Sequence, residues 1–424
     1  MTTPLRQVWS ELGGDPAAPG RLAVTGPPAV LRSAFDVTGA GVAAVGASLL
    51  AATDRPVGLD TRTLAIALRS ERYVLRRGTS LGAPFDPLSA FHRTADGWLR
   101  LHANYPWHRA AALRVLGCTE AQVPSAIAER TGVELEAAVH AAGGVAAAVR
   151  TQERWRAETG APPPLVEQRV VGEAPPRPVR RPRVLDLTRV IAGPVATRTL
   201  ALHGADVLRL DAPDRPEIPL QAADTLPGKR SALLDLADEG RREELLGDAD
   251  VVVTGYRPGA LDAFGLAPDA LALRHPGLIV VTLSAWGEQG PWGGRRGFDS
   301  LVQAACGIAV EEGSIDAPGA LPAQALDHTT GYLGAAAALL ALAAQRREGG
   351  TRHVRLSLVG TAAWLQGLAR GAAVDVPEVD PAPHLQEMGD LTLAAPPGTV
   401  DGSPLRWPRP APSFGTATPT WVAS

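Results

Sequence analysis

Apolar residues follow two rhythms along this chain. From residue 183 onward, short unbroken apolar runs alternate with longer Ala- and Leu-rich stretches. RVLDL (183–187), DVLRL (206–210), ADVVVTGY (249–256), GLIVVTLSAW (277–286) and HVRLSL (353–358) read as strands. Apolar runs without polar alternation suit parallel strands covered on both faces. Gly193-Pro194 opens a helix that runs to about His203. Pro194 falls near its first turn, where a missing N–H costs little, and Gly204 takes the position just past its end. Strand, helix and strand over 183–210 make a βαβ unit. A long Ala/Leu helix is expected over about 329–345.

The N-terminal part holds an echo of this pattern. VTGAGVAAVGASLLAA (37–52) can be laid on TTGYLGAAAALLALAA (329–344), and TRTLAIAL (61–68) on TRHVRLSL (351–358). Two pairings in the same order point to a partial duplication. Residues 1–75 are therefore expected to be a degenerate copy of the helix–strand unit, with Asp36 out of register with Asp327. Residues 76–160, with FHRTADGWLRLHANYPWHRAA and then Ala/Glu-rich segments, read as a small α+β domain. Residues 161–182 are rich in Pro and Arg and lack a helical or strand period, so they read as a linker. Residues 183–370 form the Rossmann-like domain, and 371–424 a C-terminal extension that wraps a surface. The fold class expected is α/β: a large domain with a Rossmann-like parallel sheet, plus the small α+β domain.

Composition narrows the function. A length of 424 residues suits two or three domains, and 45% hydrophobic with 20% charged residues is globular. A net charge of -3 gives no reason to expect a nucleic-acid partner or an anionic membrane surface. Cys118 and Cys306 are the only cysteines, which leaves no disulfide framework and fits a reducing cytoplasm. The first residues lack the apolar core of a signal peptide. The most apolar run, Tyr332 to Ala344, falls short of the ~20 residues a membrane span needs. The turn after RVLDL reads TRVIAGPVA, not GxGxxG, and GxxxxGK[ST] and HExxH are absent. His102 and His108 suit packing histidines better than metal ligands, and no metal site is expected.

Several polar residues stand where chemistry is possible. Asp327, in ALDHTTG, lies at the mouth of the Ala-rich helix; taken alone it reads first as a helix cap. Asp299, in RRGFD, could pair with Arg295 or Arg296. Lys229 and Arg230 precede a strand and could reach the sheet's carboxyl edge or be solvated charge. Tyr256 and Arg257, in GYRPG, offer an aromatic face and a cation, or simply a turn.

Five segments occur in order: LDLTRVIAGPVATRTLALHGADVLRL (185–210), GKRSALLDL (228–236), ADVVVTGYRPGALDAFGL (249–266), GPWGGRRGFDSLVQAACGI (290–308) and LDHTTGYLGAAAALLAL (326–342). Together they resemble the class III CoA-transferases, the CaiB/BaiF type, over about 183–364. The resemblance implies transfer of CoA from an acyl-CoA thioester to a carboxylic acid. Asp327 would be the covalent nucleophile and Asp299 an assisting acidic residue. Val190, Ile191 and Ala192 would make backbone contacts to CoA, with Lys229, Arg230, Tyr256 and Arg257 holding its phosphates and adenine. CoA and acyl-CoA are then substrates, with no resident cofactor, and an intertwined homodimer is the expected assembly. Departures are also visible. The family's small domain usually follows the HVRLSL-like strand, whereas here it precedes the Rossmann-like part. Gly143-Gly144 is a poor match to the family's Gly-rich closing loop. Phe298 stands where the family's acyl-CoA racemases carry histidine. Racemase or epimerase activity, or CoA binding without turnover, are the alternatives.

Overall fold

The computed structural model describes residues 3–370, 376 and 378–422. Helix α1 (Val37–Ala52) leads the N-terminal part; Asp36 caps it, accepting the Gly39 N–H at 2.7 Å. After the short strand Val57–Asp60 comes α2 (Thr61–Ala67). This corrects the expected duplication. TRTLAIAL is helical because Leu64, Ala65 and Leu68 recur at helical spacing and are buried, while Asp60 accepts the Arg62 N–H. Its supposed counterpart is a strand, in which the more exposed Arg355 stands between the buried Val354 and Leu356. Helix and strand do not correspond, so residues 1–75 are not an element-for-element copy.

Seven strands form the main sheet: β1 (Val166–Gly172), β2 (Arg183–Leu187), β3 (Asp206–Asp211), β4 (Arg230–Leu233), β5 (Val251–Thr254), β6 (Ile279–Ser284) and β7 (Thr351–Ser357). Their spatial order is β4-β3-β2-β5-β6-β7-β1. All neighbours run parallel except β1, which lies antiparallel to β7. β1 is a second correction, because it lies inside the stretch read as a linker. It is an edge strand, largely exposed, with Glu167 and Arg169 paired on it. An edge strand needs no apolar alternation to form a ladder on one side, and prolines on both flanks hid this one.

Successive strand residues turn to opposite faces. Val184, Val207, Val251 and Ile279 pack under α3 (Ala192–Leu202) and α5 (Ala325–Glu348). Leu185, Leu208, Val252 and Val280 pack against Leu245, Leu246 and Leu271 on the other face. The unalternating apolar runs are thus strands covered on both sides. α4 (Asp299–Ala305) and α6 (Leu358–Gly367) complete this part. α1 lies against α5, burying a face that would otherwise be apolar surface.

Between α2 and β1, three short strands (Phe91–Arg93, Trp98–Leu101, Ala146–Ala148) and the helices Pro106–Leu116, Val123–Ala128 and Gly132–Ala141 enclose a separate core around Leu99, Ile127 and Leu135. The C-terminal residues return to the N-terminal part. Thr399–Val400 pairs with Val57 and Gly58, and Leu391–Ala394 pairs with Leu75 and Arg76.

One buried cluster fastens the N-terminal part to the sheet's helices. Arg198 of α3 donates to Asp224 at 3.0 Å and to Ser70 Oγ at 3.1 Å, and Ser70 Oγ donates to Asp224 at 2.7 Å. All three are buried. The crossing of α3 and α5 is equally close: a Cβ on Gly331 would lie 2.6 Å from the Ala192 carbonyl oxygen. We expect Gly331→Val to push α5 off α3 and to destabilise the protein by about 3 kcal/mol, measured by denaturant unfolding. Wild-type stability would mean that the two helices can part freely.

Candidate active site

Strands β2, β3, β5 and β6 end at one edge, and the site is built there, as in other open parallel sheets. The first turn beyond β2 hangs from Asp186. Its carboxylate accepts from the Thr188 N–H at 3.0 Å, from Thr197 Oγ1 at 2.6 Å and from Lys229 Nζ at 2.9 Å. Lys229 also donates to the Pro194 carbonyl at 3.0 Å. Burial pulls the Lys229 ammonium down to about 8, against the opposing pull of Asp186. Lys229 therefore ties the turn to α3 and does not reach toward a ligand. Arg230 is likewise misplaced for that role. It pairs with Asp206 at 3.3 Å, at the amino end of β3, and donates to the Thr420 carbonyl. Both were expected to hold CoA phosphates; both are committed to the fold. Gly193 makes the turn possible, because a Cβ there would sit 2.3 Å from the Thr188 side chain.

Val190, in this turn, adopts φ +70°, a left-handed conformation that a β-branched residue avoids at a cost of about 1–3 kcal/mol. Glu217 holds it there. Its carboxylate accepts the Val190 N–H at 3.0 Å, Arg209 Nη2 at 2.8 Å and the Tyr105 hydroxyl at 2.5 Å. Burial pushes the Glu217 carboxyl up, but Arg209 and Arg189 hold it below its ordinary value. The small domain, through Tyr105, thus helps to set the βα turn. Ile191 caps α3, and Ala192 begins it. First-turn N–H groups of a helix have no intrahelical acceptors, so they are open to a ligand.

Asp327 faces this turn from the first turn of α5. The cap position belongs to Gln324, so Asp327 is not the helix cap. Among the described residues no donor hydrogen-bonds its carboxyl, although it is 6% exposed. Burial, then the charges of Asp299 and Glu71, push its pKa well above the usual carboxylate range. Asp299 is fully buried at the start of α4 and accepts the Asp327 backbone N–H at 2.9 Å. Burial raises Asp299 to about 6, against hydrogen bonds from Gln303 and the Asp327 and Leu326 backbone. It pairs with neither Arg295 nor Arg296. It is a positioning residue that fixes the backbone of Asp327.

A chamber of about 20 Å3, room for roughly one water, opens on the Asp327 carboxyl. Val190 and Ile191 close one side and Phe298 another. Ala192 is not among its walls, and neither are Gly143 and Gly144. His102 stacks on Phe298 at 3.9 Å, and burial lowers it to about 3, so it is neutral. His102 Nδ1 and Gln221 Oε1 both line the chamber and both lack a hydrogen-bond partner. Glu71 and Asn104 reach it from the N-terminal and small-domain segments. Sequence reasoning missed these four residues.

Tyr256 and Arg257 stand at the end of β5 and line a larger cleft of about 870 Å3 beside the ends of β6 and β7. Cations gather nearby. Burial lowers Arg296, and the charges of Arg257 and Arg215 lower it further. Arg215 lies over the Trp107 ring at 5.0 Å, and Trp107 stacks on Tyr105 at 4.6 Å. Arg215 and Trp107 were missed and Arg296 was weighed only as a partner of Asp299, although HANYPWHR and GGRRGFD combine aromatic and basic residues in a way that could have marked them. Among the described residues, no cluster of His, Cys, Asp or Glu is built to hold a metal, and no helix is long and apolar enough to cross a membrane.

We expect Glu217→Ala to destabilise the protein by about 3–5 kcal/mol, because Arg209 loses one of its two carboxylates. It should also raise hydrogen exchange at the Val190 amide. A stability loss with unchanged exchange there would show that Glu217 does not hold the turn.

Comparison with known proteins finds relatives of part of this chain. Residues 181–397 match the model of CoA-transferase family III. The probable fatty acyl-CoA transferase Rv3272 of Mycobacterium tuberculosis is 34% identical over 259 residues, covering 54% of this chain and 64% of that protein. The formyl-CoA:oxalate CoA-transferase of Streptomyces avermitilis is 30% identical over 239 residues, covering 51% and 58%. The crystal structure of Rv3272 superposes with a TM-score of 0.42 at 33% identity, covering 46% of this chain and 58% of that one. The chain thus spans less than two thirds of the length of these relatives. The family match extends over half of the chain, from the start of the parallel sheet to beyond α6, and on that ground the chain belongs to CoA-transferase family III.

Proposed function

We propose that this chain moves CoA from an acyl-CoA thioester to a carboxylic acid through a covalent intermediate on Asp327. The observation that carries this reading is a desolvated carboxyl, without a hydrogen-bond donor, facing the βα turn of a parallel sheet. The family relatives named for CoA transfer support it. In the first step an Asp327 oxygen attacks the thioester carbonyl, giving a mixed anhydride and CoA thiolate. The thiolate attacks the Asp327 carbonyl of the anhydride, releasing the first carboxylate and leaving an aspartyl-CoA thioester. The acceptor carboxylate reverses these steps and leaves as its CoA ester. The helix start of α5 and the N–H groups of the first βα turn supply positive potential for the oxyanions. Ile191 and Ala192 offer backbone N–H contacts to CoA, and Val190, whose N–H is taken by Glu217, offers its carbonyl. Tyr256 and Arg257 receive its nucleotide end, and we add Arg296, Arg215 and Trp107 to them. CoA and acyl-CoA are substrates in this scheme, and no resident cofactor takes part. The unpaired Cys118 and Cys306 agree with a reducing, cytoplasmic setting.

Hydroxylamine trapping tests the mechanism. After incubation with an acyl-CoA panel, peptide mass spectrometry should place a hydroxamate on Asp327, and Asp327→Asn should abolish it. No label with any donor, or a label elsewhere, would sink the assignment. The pH dependence follows from the raised carboxyl. Asp327 attacks as the anion, so kcat/KM should rise with pH through an apparent pKa above the ordinary carboxylate range. Asp299→Asn removes a neighbouring negative charge, so the acid limb should move to lower pH. A limb that stays in place or moves upward would show that Asp299 does not couple to the nucleophile.

A further inference from the structure

The chamber holds a second acid besides Asp327. Glu71 lies on the single turn Ser70–Tyr73, well ahead of the family-matched residues 181–397. It is 5% exposed, and its Oε2 lies 3.4 Å from His328 Nε2. Burial pushes the Glu71 carboxyl up, but the His328 contact outweighs it and holds the group below its ordinary value. Glu71 is therefore an anion. Its backbone is fixed, because the adjacent Ser70 is bonded to the buried pair Arg198 and Asp224.

The rest of the chamber is poor in positive charge. Phe85, Ile191 and Phe298 are apolar, and Asn104 and Gln221 are uncharged. His102 is neutral. No Arg or Lys is among the residues that line it. If Asp327 is the nucleophile, an acyl carbon within bonding reach of it brings the first atoms of its tail against these side chains, and the chamber, with room for about one water, must widen to take them. An uncharged tail loses little there. A tail ending in a second carboxylate would be desolvated with no cation near but His328, which Glu71 already engages, and would face the Glu71 carboxylate, an arrangement that is strongly disfavoured.

We propose that Glu71 is a specificity-determining residue: its carboxylate restricts this chamber to acyl groups without a second negative charge. The substrates are then monocarboxylates with uncharged tails, and dicarboxylates are rejected. This inference rests on the reading of Asp327 as the nucleophile. It also gives the N-terminal segment a part in substrate choice.

The test uses the full chain with acetyl-CoA as donor and propionate or succinate as acceptor, reading product thioesters by chromatography. Propionate should be preferred by on the order of 100-fold in kcat/KM, and Glu71→Gln should raise the succinate-to-propionate ratio by about tenfold. The ratio is the readout because it does not depend on the fraction of active enzyme. A wild-type ratio within about threefold of unity, or a ratio that Glu71→Gln leaves unchanged, would overturn the proposal. Should the variant not fold, hydroxamate yield at Asp327 of the wild type with succinyl-CoA against propionyl-CoA decides the matter, and equal yields would refute it. If no donor labels Asp327 at all, the transfer reading fails and takes this inference with it. Labelling without discrimination overturns this inference alone.

Discussion

A β-branched residue in the left-handed region has to be held there, and the geometry of this site depends on that restraint. Val190 is kept at φ +70° by the carboxylate of Glu217, which Arg209 from β3 and Tyr105 from the small domain hold in turn. Beside it, Asp186 and Lys229 fasten the same turn to α3. The turn then meets Asp327 at a fixed distance across the chamber. These buried ions are better understood as geometric clamps than as sources of stability, since burying a charge pair gains little by itself. Their strain and desolvation are tolerated because the surrounding sheet is covered on both faces.

The same logic explains which parts of the molecule were legible in the sequence. Strands β2, β3, β5 and β6 announce themselves because a strand buried on both faces is mostly apolar and loses the polar alternation of a half-exposed one. β1 does not, because an edge strand needs only a partner for its backbone. The pair 61–68 and 351–358 shows the limit of matching by composition: both stretches are apolar, but only the spacing of Leu64, Ala65 and Leu68 decides for a helix.

At the site, Asp327 could be found because it stands in a local motif. Lys229 could be found but not aimed. Whether a lysine before a strand points to the edge or into the turn depends on where Asp186 lies, and that is a three-dimensional fact. Glu71, His102 and Asn104 were invisible for a related reason. They reach the chamber from segments far from Asp327 in the chain, and no periodicity or spacing links them to it. Tertiary packing alone brings them together, with the Arg198, Asp224 and Ser70 cluster as its fastening.

The pairing of Thr399–Val400 with Val57 and Gly58 bears on the order of events in synthesis. Val57–Asp60 is synthesised well before Thr399–Val400, the residues that complete its ladder. Until then Val57–Asp60 has an open edge, and α1 lacks α5, made nearly three hundred residues later, to cover it. Domains that close late in this way spend longer with apolar surface and unpaired strand exposed. The nascent chain is thus most vulnerable to aggregation while Val57–Asp60 and α1 wait for the later segments that cover them.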